Sequence, residues 1–297
     1  MFKITHIKQE NNQDFVLISS KENNTFAKIC LSEGARVEEL IFNTISVIRD
    51  PKKINYEESF ASSILFPFTN RIKNGKYRHE DKEFSLKLNF QQEKNAIHGL
   101  VYNKQFTIIN EKYNHHFGQV VLAYSQLKKE NGFPFLYSIY ITYTLEKDVL
   151  RIKIDVKNNG KNTFPFCIGW HPYFNTSNLS ESYVTLNTDK KLLLDEHKIP
   201  VRLKKINPVY KEKIENKSFD DCYLLKENAV YLETPDYKVK LESSTQENYL
   251  QLYTPNDRNC IAVEPMSAPS NSFNNKIGLQ YLNADEKYQL TWKLSFL

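Results

Sequence analysis

A strict two-residue hydrophobic alternation in the middle of the chain restricts its fold more than any other feature. Tyr137, Ile139, Ile141, Tyr143 and Leu145 alternate with Ser138, Tyr140, Thr142 and Thr144. After Glu146-Lys147-Asp148 the period resumes, with Leu150, Ile152, Ile154 and Val156 set against Arg151, Lys153, Asp155 and Lys157. Successive side chains of a strand point to opposite faces, so the pattern predicts an antiparallel hairpin with one face buried. The same period returns at Tyr237, Val239 and Leu241, and at Tyr288, Leu290, Trp292, Leu294 and Phe296, so the C-terminal segment reads as a paired strand. Asn131-Gly132, Asn158-Asn159-Gly160 and Thr254-Pro255-Asn256-Asp257 are turn signals at short intervals, with few helical stretches between them. Eighteen Tyr and nineteen Phe against eight Gly supply residues that pack well on a pleated surface. The expectation is an all-β fold, a large antiparallel β-sandwich. In Glu33 to Ile48, Val37, Leu40, Ile41 and Ile45 fit a helix about as well as strands. With no repeat, low-complexity tract or Gly/Ser linker, residues 1–297 read as a single domain.

The formal charge of +5 comes from Lys residues scattered among Glu and Asp, with only doublets such as Lys128-Lys129 and Lys204-Lys205. That spacing describes a solvated surface, and no nucleic-acid partner is expected. The first residues carry charges where a signal peptide needs an apolar core, and no run approaches the ~20 apolar residues that span a bilayer. No membrane association and a cytoplasmic location are therefore expected. Cys30, Cys167, Cys222 and Cys260 are widely separated and form neither a CxxC pair nor a zinc-ligand spacing, which predicts buried free thiols in a reducing compartment. His115-His116 is too isolated for a metal site, and there is no GxGxxG or GxxxxGK[ST] loop. No metal and no cofactor are expected. An exposed sheet edge would permit pairing of two copies, and monomer and homodimer stay open.

Strands predict only a scaffold, so function must lie in polar groups that the alternation does not explain. Asn70 and Arg71 precede the Asn74-Gly75 turn. His98 adjoins Gly99, where a bare backbone would permit close approach of a ligand. His171 lies in Gly169-Trp-His-Pro-Tyr-Phe-Asn175, an imidazole among aromatics ahead of a proline. Glu264 ends the apolar run Ile261-Ala262-Val263, entering a loop, and a carboxylate continuing a buried strand is expensive unless paired or in use. Taken singly, His98 and His171 read as satisfied histidines, Arg71 as a surface ion pair and Glu264 as a pre-proline loop carboxylate. His6, His79, His115, His116 and His197 read as solvent-facing.

In combination these residues carry a resemblance. Asn70-Arg71-Ile72 followed by Gly75, His98-Gly99, His171-Pro172-Tyr173-Phe174, Asp220 and Glu264-Pro265, in this order, resemble the aldose 1-epimerase (galactose mutarotase) family. Gly34-Ala35-Arg36 and Gln251-Leu252-Tyr253-Thr254 fit it too, so the resemblance spans nearly the whole chain. It implies a galactose mutarotase-like β-sandwich with a small-molecule sugar substrate in an open cleft on one sheet. It also implies roles: Glu264 as base, His171 as acid, His98 as a second active-site imidazole, and Arg71 and Asp220 as groups that hold sugar hydroxyls. Asn70 and Trp170 join them as expected substrate-binding residues, with Phe174 and Tyr173 as further wall. Asp220 is preferred over Asp221 because the family's aspartate is followed, after two intervening residues, by an aromatic. Met266, Ser267 and Asn271 depart from the usual continuation after Glu-Pro.

Anomer exchange requires a base for the C1 hydroxyl proton and an acid for the ring oxygen. The sequence reading makes Glu264 a carboxylate and His171 an imidazolium raised by negative charge such as Asp220. The competing readings are an epimerase of phosphorylated sugars, a carbohydrate-binding protein without catalysis, and a glycoside hydrolase with paired carboxylates.

Overall fold

The computed structural model describes residues 1–8, 13–51, 53–245 and 248–297. The alternating segments form strands over Tyr137–Leu145 and Val149–Asn158, paired antiparallel with Leu145 opposite Leu150. Tyr137, Ile139, Ile141, Tyr143 and Leu145 are all buried, as are Leu150, Ile152, Ile154 and Val156. The C-terminal strand Lys287–Phe296 is hydrogen-bonded on both sides, to Val149–Asn158 and to Lys238–Ser243. Its apolar face, Leu290, Trp292 and Leu294, closes the centre of the layer.

That layer runs, strand by neighbouring strand, through Thr107–Tyr113, Gly118–Gln126, Tyr137–Leu145, Val149–Asn158, Lys287–Phe296, Lys238–Ser243 and Ala229–Glu233. The facing layer runs through Phe2–Lys8, Asp14–Ser20, Thr25–Cys30, Arg36–Phe42, Ile45–Arg49, Tyr173–Asn175, Cys260–Met266, Tyr249–Tyr253 and Asp220–Leu224. One long strand, Tyr183–Leu194, belongs to both: Tyr183–Thr185 pair with Ala229–Glu233, and Lys190 and Lys191 pair with Asp220–Leu224. The two layers are thereby joined along one side into a large antiparallel β-sandwich. A continuous apolar cluster fills the space between them, from Trp292 and Ile154 on one layer to Leu252, Ile261 and Val263 on the other.

The ambiguous stretch Glu33 to Ile48 is strand. Arg36–Phe42 and Ile45–Arg49 pair with Phe42 opposite Ile45, and both residues of the two-residue loop, Asn43 and Thr44, take positive φ. Such a turn matches the right-handed twist of its strands, and this tertiary pairing decides what periodicity leaves open. Helix among the described residues amounts to two single α-helical turns, Tyr56–Ser59 and Ser272–Asn275, and three 3₁₀ turns, Lys73–Gly75, Gln91–Glu93 and Leu179–Glu181. The four cysteines are buried and free. His79 departs from the expectation of solvent exposure: it lies on the inward face of strand Lys76–His79, packed against Phe135, with Nε2 bonded to the Thr163 carbonyl at 2.9 Å. No described helix is long and apolar enough to cross a membrane.

Candidate active site

Four neighbouring strands of the second layer form the floor of a cleft. Their register places Tyr173, Ala262, Tyr253 and Asp220 in one cross-strand row. Two residues further along, Glu264, Gln251 and Cys222 form the next row on the same face. The alternate residues Phe174, Ile261, Val263, Leu250 and Leu252 point into the main core. Glu264 is therefore a mid-strand residue paired opposite Gln251, not the start of a loop. The pleat also separates the two adjacent aspartates. Asp220 lines the cleft, whereas Asp221 pairs with Lys191 at 2.6 Å and contacts the Tyr223 hydroxyl away from it.

Loops build the walls. Asn70 takes positive φ, and its side-chain oxygen accepts from the Arg71 backbone N–H and from Arg71 Nη1, both at 2.9 Å. Arg71 also donates from Nη2 to Glu93 Oε1 at 3.0 Å and from Nε to Glu93 Oε2, with its guanidinium 5.7 Å from the Phe90 ring. The short pairing of Arg71–Ile72 with Ala96–Ile97 brings His98 alongside, its N–H donating to the Asn70 carbonyl at 2.9 Å. Gly99 serves a different purpose from ligand approach. A Cβ there would lie 2.4 Å from the Phe66 carbonyl oxygen, so the bare backbone is needed for the chain to pack on itself. His171 follows the strand Gly169–Trp170, which pairs with Ile64–Leu65.

These pieces meet in a cleft of about 330 Å³. At its base the His171 Nε2 lies 3.4 Å from Glu264 Oε1. The His98 and His171 rings meet edge to face with centroids 5.0 Å apart, His98 against Phe60 and His171 stacked on Tyr173. Asp220 accepts from Gln251 Nε2 at 3.1 Å and from the Lys198 ammonium. Glu264 Oε2, His171 Nδ1 and His98 Nδ1 are buried and have no hydrogen-bond partner among the described residues. Buried polar atoms left unpaired are costly, and three of them around one cavity mark a place prepared for a polar ligand.

Burial sets the protonation of this group. It lowers His171 to about 4, and it lowers His98 well below the ordinary imidazole range, with the charges of His171 and Arg71 adding to the effect. It raises Glu264 well above the ordinary carboxylate range, with Asp220 adding to the rise and Arg71 opposing it. The expectation of an imidazolium at His171 is thus reversed. Loss of hydration dominates at the ring, and the negative charge of Asp220 acts on Glu264 instead. Each group is thus pushed toward its neutral form.

Of the residues anticipated from sequence, Asn70, Arg71, His98, His171, Asp220 and Glu264 line the cleft. Trp170 does not. It is fully buried and stacked on Trp292 at 6.3 Å, because the alternation that turns His171 outward turns Trp170 into the core. Phe174 is likewise in the core, and Tyr173 is the aromatic that lines the cleft. Lys198, Glu93, Phe60 and Tyr253 line it without having been anticipated. Lys198 sits at the tip of the hairpin Tyr183–Leu194/Pro200–Lys213 with positive φ, and no local pattern relates it to Asp220. No three His, Cys, Asp or Glu side chains among the described residues cluster as metal ligands.

Residues 16–295 match the sequence profile of the aldose 1-epimerase family. The chain belongs to that family. The chain is similar to the uncharacterized Escherichia coli K12 protein YihR, at 26% identity over 88% of this chain and 87% of that one. A maltose epimerase of Levilactobacillus brevis is 27% identical over 52% of this chain and 47% of its own. Among solved folds, a galactose mutarotase-like protein of Clostridium acetobutylicum superposes with a TM-score of 0.87 at 21% identity, covering 100% of this chain and 98% of that one. The galactose 1-epimerase of Lactobacillus acidophilus NCFM superposes with a TM-score of 0.82 at 17% identity, with coverage of 100% and 98%. These two similarities establish the epimerase fold.

Proposed function

We propose that this member of the aldose 1-epimerase family interconverts the α and β anomers of a free, unphosphorylated hexose. The observation that carries this reading is the buried Glu264–His171 pair, 3.4 Å apart, beside hydroxyl-binding groups on the same face. Ring opening moves one proton from the C1 hydroxyl to a base and delivers another to the ring oxygen as the C1–O5 bond breaks. A pair holding one proton has one acid and one base at all times. With the proton on Glu264, the glutamic acid serves O5 and neutral His171 takes the hydroxyl proton. Transfer between the partners gives the charged form, with Glu264 as base and His171 as acid, at the same overall charge. Rotation about C1–C2 and the reverse transfers close the ring on the other face. No other reagent is consumed, so the chemistry needs no cofactor.

His98, held neutral by burial, supports this as a donor toward the ring oxygen where charge develops. Asp220 accepts from sugar hydroxyls, and Arg71 donates to them. Among the described residues, both cations that line the cleft are already engaged, Arg71 with Glu93 and Lys198 with Asp220, and the exposed Glu58 lies at the rim. This balance favours a neutral sugar over a phosphorylated one. Two unsatisfied proton-transfer groups would be an expensive way to build a site that only binds.

Polarimetry of freshly dissolved α-D-glucose and α-D-galactose tests the reading, with wild type, Glu264→Gln and buffer alone. Wild type should speed the approach to equilibrium and the variant should not. No acceleration with either sugar, or equal rates in the variant, rejects it. The acid limb of the pH profile should fall through about 4, where His171 gains a second proton and the pair loses its base. A limb centred near 6.5 would show that His171 is solvated.

A further inference from the structure

The two imidazoles are not oriented by hydrogen bonds at Nδ1, since neither nitrogen has a partner among the described residues. Their placement must come from the segments that carry them. His171 is fixed through its backbone, its N–H donating to the Ser63 carbonyl at 3.1 Å and its carbonyl accepting from the Ser62 N–H at 2.8 Å. His98 packs on Phe60, which in turn meets Tyr102 edge-on at 5.0 Å. Phe60 and Ser62 both hold positive φ, a conformation that non-glycine residues keep only when their surroundings enforce it.

One hydroxyl ties these segments together. Tyr56 Oη donates to the Tyr102 carbonyl at 2.7 Å and lies 2.8 Å from Ser63 Oγ, which can donate back to it. Its ring is held from the other side by the Arg36 guanidinium, 4.3 Å from the ring centroid. Arg36 is itself buried and fixed by Glu33 Oε2 and Asp50 Oδ1, each at 2.7 Å. A planar guanidinium held by two carboxylates is a rigid platform, and lysine does not reproduce it.

We infer that Tyr56, braced by Arg36, is a positioning residue that sets the spacing of the His98 and His171 imidazoles by hydrogen-bonding the Tyr102 and Ser63 segments through a single hydroxyl. Its catalytic consequence rests on the proton-transfer roles proposed above. The geometric claim does not. Asp220 and Arg71, proposed to hold the sugar hydroxyls, lie on strands Asp220–Leu224 and Arg71–Ile72, which the Tyr56 hydroxyl does not bond, so loss of this brace changes the reacting geometry more than sugar binding.

Tyr56→Phe removes the hydroxyl and keeps the ring on Arg36. Tyr77→Phe is the control, since it likewise removes a bond from a buried tyrosine's hydroxyl to a carbonyl, that of Gly132 at 2.8 Å, and Tyr77 does not line the cleft. In the polarimetric assay Tyr56→Phe should lower kcat about tenfold with KM within about twofold, an effect of slight misplacement of reacting groups. Tyr77→Phe should leave both constants unchanged at a comparable loss of melting temperature. Ser63→Ala, which cuts only the arm toward His171, should fall between them and replaces Tyr56→Phe if that variant does not fold. Equal kcat losses in the Tyr56 and Tyr77 variants overturn the inference. A readout without substrate separates it from the epimerase reading. Imidazole ¹⁵N resonances of His98 and His171 should shift in Tyr56→Phe while that of His79 stays in place. Unchanged His98 and His171 resonances overturn the inference whatever sugar the enzyme uses, whereas shifted resonances with no mutarotase activity in wild type overturn only the proposed function.

Discussion

The strand Cys260–Met266 has two buried faces that obey opposite rules. On the inner face Ile261 and Val263 lie in the main apolar cluster, where burial stabilises and every contact is satisfied by packing. On the outer face Glu264 is 1% exposed, yet one carboxylate oxygen has no partner among the described residues. Equal burial thus serves stability on one side and suppressed ionisation on the other. What differs is the neighbour supplied by the adjacent strands: Leu252 opposite Val263, and Gln251 opposite Glu264. The comparison teaches that burial at this site is a tool for adjusting proton affinity, with a stability cost that the inner face offsets.

The largest expected effect separates the faces by activity. Glu264→Gln should lower kcat about 10³-fold, within the usual range for losing a proton-transfer group, without lowering the melting temperature. A variant that melts much earlier than wild type would show that the carboxylate is structural. Ile261→Ala, three residues away on the inner face, should behave oppositely, losing about 2–5 kcal/mol of stability in denaturant titration while the folded enzyme keeps its kcat. A catalytic loss in folded Ile261→Ala would mean the two faces are mechanically coupled.

A smaller contrast uses neighbours in sequence. Asp220→Asn should raise KM about tenfold, because a charged acceptor is lost from the cleft. Asp221→Asn should alter KM less than about twofold, since its Lys191 pair lies outside the cleft and is partly exposed. Similar effects at both positions would place the sugar differently from the cleft described.

The smallest effect is a trend with pH. The folded-state affinity of Glu264 for its proton is raised above the ordinary 4.5, so the folded protein retains a proton that the unfolded chain releases as pH rises. The stability tied to that proton is present below 4.5 and is lost at higher pH. Gln carries no such linkage. The melting temperature of Glu264→Gln relative to wild type should therefore rise by a few degrees between pH 4.5 and 8. A flat difference would mean the carboxyl ionises normally in the fold.

Much of this was legible beforehand. The alternation at Tyr137–Val156 and at Tyr288–Phe296 named the inward side chains correctly, because period two is a property of the strand itself. Asn70, Arg71, His98, His171, Asp220 and Glu264 stood out as polar groups that a sandwich core does not explain, and they do share a cleft. Trp170 was misread since a one-residue step reverses the face, and motif proximity to His171 says nothing about direction. Glu93 and Lys198 went unseen because their partners, Arg71 and Asp220, are each 22 residues away and joined to them only by folding.

The sequence by itself determined the strand character, the inward faces of its longest strands and the chemical types available for acid–base work, all of which follow from local order along the chain. Only the tertiary structure decided which strands are neighbours, that Glu264 and His171 meet, and that each is pushed toward its neutral form. The reason is that cross-strand pairing and loss of hydration depend on residues distant in sequence, and a side chain's proton affinity is set by what surrounds it in space.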